Sequence, residues 1–301
     1  MTLPVTPRFI VARDGTRLRT ALFEAPATRG LCVLLQGQTE FIEKYGEVIG
    51  ELNRRGFSVA TFDWRSQGGS GRLLDDAMKV HVARFAQYDD DLESFLEQVV
   101  APRGQKPIVL AHSMGGHNLI RALHVRPEAF AAAAFSAPML GLPARDGIPP
   151  WLAKRLSRLA ASFGFSERYA PGMAGRDPLN QTFERQNLTS DRFRFERTLA
   201  ILKADPSLRV GGPTWGWVAA AYASIAEVNA RGYAEAIKTP VLLAGAGRDR
   251  VVAVEADRAF ARRLPNARYV EFADSEHEIL MENDSIRARF WSAFDDFVAG
   301  L

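Results

Sequence analysis

Ala111-His112-Ser113-Met114-Gly115-Gly116 joins a continuous apolar run, Pro107-Ile-Val-Leu-Ala111, to a segment of helical periodicity, Met114–Leu123. A serine on a sharp strand–turn–helix junction has its hydroxyl lifted clear of the sheet, at a helix N-terminus whose dipole favours developing negative charge. Such a turn admits only small residues two before and two after the serine. Gly115 is one, and Ala111 carries no more than a methyl. The competing reading of Ser113 is an ordinary Gly-containing helix start.

A hydroxyl needs a base to act as a nucleophile near neutral pH. Of the five histidines, His81, His112, His117 and His124 lie before Ser113 or within its helix, and read as structural. His277 lies far downstream, in Ser275-Glu276-His277-Glu278, between a strand-like segment and the last helix. In the order nucleophile, acid, histidine, the acid belongs after the preceding strand. There Val241–Ala244 leads into Gly245-Ala-Gly-Arg-Asp249. Asp249 would fix the His277 tautomer and stabilise its imidazolium. Asp257 falls in a helix and Asp274 on the histidine's own loop, so both fit less well. The plain alternatives are a solvated His277 and an Asp249 that only caps its turn. Backbone amides suit the oxyanion: that of Met114, after the nucleophile, and that of Gln38, after Leu31–Leu35 and Gly37. A simple glycine turn is the rival reading of Gly37.

The elements that must position these residues alternate. Phe9–Arg13 and Leu18–Phe23 flank Asp14-Gly15, a hairpin signal. Leu31–Leu35, Phe57–Phe62, Pro107–Ala111 and Ala131–Phe135 read as strands. Helical stripes separate them, Tyr45–Leu52, Phe85–Val99 and Met114–Leu123, and this order predicts a parallel sheet covered by helices on both faces. From Met139 to about Asn229 strand signals vanish and helical pattern is broken by prolines. The order then resumes with Val241–Ala244, a helix near Glu255–Leu264, Tyr269–Phe272 and a last helix carrying Ile286, Phe290, Phe294 and Phe297. The expected organisation is a core of 1–138 and 230–301 with an inserted helical cap at 139–229. Asp63-Trp-Arg-Ser-Gln-Gly-Gly-Ser-Gly71 is Gly-rich but lacks a following Gly-Lys-Ser/Thr, so it reads as a scaffold loop with Asp63 and Arg65 bonded internally rather than a phosphate cradle.

Composition narrows the functional classes. The 301 residues are 47% hydrophobic and 24% charged, which suits a folded domain. A net charge of +3 with no basic stripe argues against a nucleic-acid partner. One cysteine, Cys32, excludes an internal disulfide and a CxxC metal site. No metal or cofactor is required by the chemistry. The N-terminal thirty residues lack a signal-peptide pattern, and the longest uncharged runs, Ala129–Ala144 and Val210–Ala226, are short and contain proline. The expectation is a cytoplasmic protein, with peripheral placement at the inner face of the membrane as an extension of it. Oligomeric state is not legible.

With these residues in place, the chain resembles the serine α/β-hydrolases of the lysophospholipase L2 and monoacylglycerol lipase group. The resemblance rests on Gln36-Gly-Gln-Thr-Glu-Phe-Ile-Glu-Lys-Tyr45, Phe62–Gly71, His81-Val-x-x-Phe85-x-x-Tyr88, Ala111–Gly116 and Ser275–Leu280. Ser66 and Ala111 stand where that group usually has glycine. The resemblance implies an α/β-hydrolase fold and a cap over Ser113 shaping an acyl pocket. It implies hydrolysis of monoacyl lipid esters, most of all lysophospholipids. Monoacylglycerols or general carboxylic esters are the near alternative, aminoacyl substrates a further one, and a non-catalytic binding module the rival outside enzymology. Between Trp151 and Pro206 ten Lys/Arg face six Asp/Glu, among several aromatics. A membrane contact through the cap is one reading of this; amphipathic helices packing on the sheet is the other.

Overall fold

The computed structural model describes residues 4–144 and 147–301. The core and cap ranges expected above also include positions 1–3 and 145–146, which lie outside the described residues. Eight strands form one sheet: β1 (Arg8–Val11), β2 (Arg17–Phe23), β3 (Gly30–Leu35), β4 (Phe57–Phe62), β6 (Ile108–His112), β7 (Ala132–Ser136), β9 (Val241–Ala246) and β10 (Ala267–Phe272). Their order is β1-β2-β4-β3-β6-β7-β9-β10. The hairpin β1–β2 and the β2–β4 pair are antiparallel, and every other pairing is parallel.

The apolar runs take the central places. β4, β6, β7 and β9 are buried along their whole length, as strands covered on both faces must be, whereas edge strand β1 is largely exposed. Helices α1 (Gly46–Arg54), α2 (Ala86–Phe95), α3 (Ser113–Val125), α8 (Val254–Ala261) and α9 (Asp284–Ala299) cover the sheet. The stripe expected to run as one helix to Val99 leaves α2 as a π-helical turn at Leu96–Val100. A 3₁₀ turn, Ala101–Arg103, follows, and the helical path ends at Gly104 with φ +68°.

Between β7 and β9 the chain leaves the sheet. It runs through α4 (Pro150–Ala160), α5 (Arg192–Ala204) and α6 (Trp215–Val228), then the short α7 (Tyr233–Ala236). This segment is not wholly strand-free: β5 (Lys79–Val80) pairs in parallel with β8 (Gly212–Pro213). Two residues ending in a proline carry no periodic signal, and only contact with the main body makes them a strand. His81 extends the same seam, its Nδ1 lying 2.8 Å from Thr214 Oγ1. Among the described residues no helix is long and apolar enough to cross a membrane.

Asp63 and Arg65 are bonded internally, as expected. Asp63 accepts from Arg19, Ile42 N–H and Gly69 N–H, while Arg65 donates to Asp91 and Asp14. Ser66 adopts φ +63°, a left-handed conformation that glycine takes without strain. Its hydroxyl donates to the His81 carbonyl at 3.0 Å, tying the strained turn to the β5 end.

Candidate active site

The parallel strands β3, β6, β9 and β10 release their chain at one rim of the sheet. Gln36, Ser113, Asp249 and His277 all follow their carboxyl ends, where open α/β sheets bind ligands. The β3–β6 register pairs Leu35 with Ala111, which sets the turn at Gly37 beside the turn at Ser113. Ser113 has φ +51°, and its carbonyl accepts from Met139 N–H at 3.0 Å. A Cβ on Gly115 would lie 2.4 Å from the Gln36 carbonyl oxygen, so only glycine lets α3 approach the β3 end this closely. A Cβ on Gly37 would lie 3.2 Å from Ser113 Cβ and 2.8 Å from Glu40 Oε2.

His277 bridges the other two side chains. Its Nδ1 is 2.6 Å from Asp249 Oδ2 and its Nε2 is 3.0 Å from Ser113 Oγ. Asp249 Oδ1 accepts from the Val251 and Val252 amides, so capping its turn and orienting His277 are done by different oxygens of one carboxylate. Asp274 instead pairs with Arg289, and Asp257 is buried without a hydrogen-bond partner for either oxygen among the described residues. Burial opposes a charge on His277, but the Asp249 carboxylate, helped by Glu278 and Glu40, holds the imidazole above its usual 6.5. Burial pushes Asp249 up, yet the His277 ring and the two amides carry it below the ordinary carboxylate range. The ring of His112 lies 4.7 Å from that of His277, centroid to centroid. Burial drives His112 down to about 4, so it stays neutral, its Nδ1 2.9 Å from the Ser136 carbonyl.

The loop after β3 is pinned at several points. Gly37 N–H donates to Glu40, Thr39 N–H donates to Gln67 Oε1, and Gln67 Nε2 donates to the carbonyls of Gly37 and Glu40. Of the Gly37, Gln38 and Thr39 amides, that of Gln38 has no acceptor among the described residues. The Met114 amide belongs to the first turn of α3, where helical amides lack intrahelical acceptors. Sequence reasoning did not single out Gln67. It also passed over the buried cluster of Glu40, Lys44, Tyr45 and Glu278 beside the histidine. The signal for the cluster was present as an acid and a lysine four apart beside a second acid next to His277. The other expected structural histidines hold ordinary contacts. His117 uses both ring nitrogens, on the Met139 carbonyl and Ser224 Oγ, and His124 stacks on Tyr233.

A serine on a strained turn, a histidine bonded to it and an aspartate bonded to the histidine, on a mostly parallel sheet, fit the α/β-hydrolase class. Solved structures share that fold. A soluble variant of monoglyceride lipase from Saccharomyces cerevisiae superposes with TM-score 0.74 at 18% identity, covering 100% of this chain and 97% of that one. The monoacylglycerol lipase of Paleococcus ferrophilus gives 0.71 at 24% identity, covering 94% and 98%. The family model described as serine aminopeptidase, S33 matches residues 26–284, and the chain belongs to that family. Lysophospholipase L2 of Escherichia coli (strain K12) is 35% identical over 293 residues, 94% of this chain and 84% of that protein.

Proposed function

We propose that this chain hydrolyses carboxylic esters of monoacyl lipids, foremost lysophospholipids, through an acyl-enzyme on Ser113. The observation that carries the reading is the relay Asp249–His277–Ser113, with separations of 2.6 and 3.0 Å. Ser113 Oγ attacks the ester carbonyl as His277 Nε2 takes its proton. Asp249 keeps the Nδ1 proton in place. The tetrahedral oxyanion receives the Gln38 and Met114 amides, each donor of this kind being worth roughly 3–4 kcal/mol. His277 then returns the proton to the departing alcohol oxygen, and water repeats the sequence on the acyl-enzyme. The relay uses only this chain's own side chains and amides.

The substrate class is supported by the 35% identity to a lysophospholipase L2. A monoacylglycerol lipase of Mycolicibacterium smegmatis, 28% identical over 78% of this chain, supports the nearest alternative, which shares the same chemistry with another leaving group. An aminopeptidase would need a carboxylate free to hold the substrate's ammonium. Glu40 and Glu278, close to His277, are both occupied by Lys44. This favours the ester over the aminoacyl substrate.

The segment 139–229 serves in this reading as the cap over Ser113. Its residues Leu188 to Ser190 bond to the histidine loop: Glu278 N–H donates to the Leu188 carbonyl, and Thr189 Oγ1 to the Met281 carbonyl. The apolar stripe of α4 and of the turn that follows it, 161–165, is largely exposed. Trp151 and Phe163 are 62% and 73% exposed, with Leu156 and Leu159 also outward. Residues 150–165 carry Lys154, Arg155 and Arg158 and no acid. An aromatic, basic, exposed face of this kind fits the surface of an anionic bilayer, where each well-placed charge adds about 1 kcal/mol.

The test is a fluorophosphonate probe followed by a lipid panel. The probe should label Ser113, and Ser113→Ala should lose both labelling and hydrolysis. Lysophosphatidylethanolamine and lysophosphatidylcholine should outcompete monoacylglycerol, short esters and an aminoacyl amide. Ester hydrolysis at the parent rate in Ser113→Ala would overturn the mechanism. Preference for the aminoacyl amide would overturn the substrate class.

A further inference from the structure

The stretch Gln36–Tyr45 supplies more than an oxyanion amide. Lys44 stands on the 3₁₀ turn Ile42–Tyr45 with its side chain only 7% exposed. Its ammonium lies 2.7 Å from Glu40 Oε1 and 2.6 Å from Glu278 Oε1. The second oxygen of Glu40 accepts from Tyr45 Oη at 2.6 Å and from the Gly37 amide. Glu40 therefore closes the loop that presents the Gln38 amide, and Glu278 is the residue after His277. One buried cation joins two loops that arrive from β3 and from β10, at opposite ends of a five-strand span of the sheet.

Such a cluster is not explained by stability. Removing three ionisable groups from water costs several kcal/mol per ion, and well-packed apolar side chains at such places are often neutral or better. Buried ionic contacts do provide direction: Lys44 can satisfy both carboxylates in only one relative placement of the two loops. The charges of Glu40 and Lys44 are maintained, while burial pushes the Glu278 carboxyl up against the pull of Lys44. Against burial, Lys44 and the neighbouring groups hold Glu40 down to about 2, while Glu278 and Glu40 hold the ammonium above the ordinary lysine range.

We propose that Lys44 is a positioning residue for ester hydrolysis: by bridging Glu40 and Glu278 it locks the Gln38 amide and the His277 imidazole into one frame around Ser113. This rests on the catalytic reading given above. Lys44 itself touches neither Ser113 nor His277 in any hydrogen bond, so it acts through its two partners. A frame that loosens by about 1 Å costs on the order of 100-fold in rate with little effect on binding.

Three variants and a control separate this from a structural role. Lys44→Met should lower kcat by tens to hundreds of fold on the pH-independent plateau, with KM within about threefold. Lys44→Arg, which keeps charge and donors, should recover most of kcat. Lys44→Met leaves two buried carboxylates unpaired and lowers Tm, so the double variant Lys44→Met/Glu278→Leu removes the surplus charge and restores an apolar contact. Its Tm should return towards the parent while kcat stays low. A kcat that recovers together with Tm in the double variant would overturn the proposal, as would parental kcat in Lys44→Met. Ser113→Ala, run alongside, tests the underlying reading: if it is inactive and the double variant is fully active, only the role of Lys44 falls.

Discussion

Gly115→Ala tests how closely the nucleophile turn and the oxyanion loop are coupled. The added methyl would sit 2.4 Å from the Gln36 carbonyl oxygen, 2.7 Å from that of Leu35 and 2.8 Å from the Leu35 carbonyl carbon. All three are backbone atoms of the β3 end, with no flexible side chain to swing aside. Relief to an ordinary contact needs the β3 end and α3 to part by about 1 Å, and overpacking of this order costs about 1–3 kcal/mol. At about 2–4 °C per kcal/mol for a domain approaching this size, Tm should fall by several degrees, with the fold retained. Catalysis should suffer more than stability. The parted elements carry the Gln38 amide on one side and Ser113 with the Met114 amide on the other, so kcat should fall on the order of 100-fold. Differential scanning fluorimetry and steady-state hydrolysis of a soluble p-nitrophenyl ester measure the two effects on one preparation. A variant with parental kcat and Tm would refute the close-packed elbow, and a fall in Tm with kcat unchanged would refute the coupling.

Further outcomes follow from the site and its surroundings. Because Asp249 holds His277 above 6.5, and the proposed mechanism uses the neutral imidazole as base, kcat/KM should fall as pH drops through a value above 6.5. In Asp249→Asn burial acts on His277 unopposed by that carboxylate, so the acid limb should move to lower pH while the plateau drops on the order of 10³–10⁴-fold; an unmoved limb in a pH–rate profile would sink the assignment of Asp249. Cys32 is wholly buried, its thiol pushed up to about 12 by burial. It should ignore Ellman's reagent in the native protein and react only in denaturant; rapid native reaction would contradict its place in the core. Trp151→Asp/Phe163→Asp should lose cosedimentation with anionic vesicles by tenfold or more and keep hydrolysis of the soluble ester, since both rings are exposed and neither bonds to the relay; unchanged vesicle binding would remove the 150–165 face as the contact.

Much of this was legible along the chain. Apolar runs such as Leu31–Leu35 and Val109–Ala111 are too continuous for a half-exposed strand, and they became the buried centre of the sheet. Residue types and order were enough to expect that Ser113, Asp249 and His277 meet, as they do, because small residues around a serine and loops after late strands are local facts. Boundaries slipped where tertiary contact overrode local preference. The helix expected at Glu255–Leu264 spans Val254–Ala261, and the strand expected at Tyr269 starts at Ala267 by pairing with Val241. The two-residue pairing of Lys79–Val80 with Gly212–Pro213 had no periodicity to read.

What the amino-acid order determined by itself is the class of fold and which side chains were proposed as the reacting groups, since both follow from short-range pattern and side-chain chemistry. Only the folded chain decided which charges share a buried space. Along the chain Glu40 and Lys44 are only an acid and a lysine four apart, with Glu278 more than two hundred residues away. They become a single dry cluster because sheet order brings the ends of β3 and β10 to the same rim. The same holds for α4, whose apolar stripe specifies a surface but not which way it turns. Periodicity records that residues share a face, and the energy that orients the face comes from contacts distant in sequence.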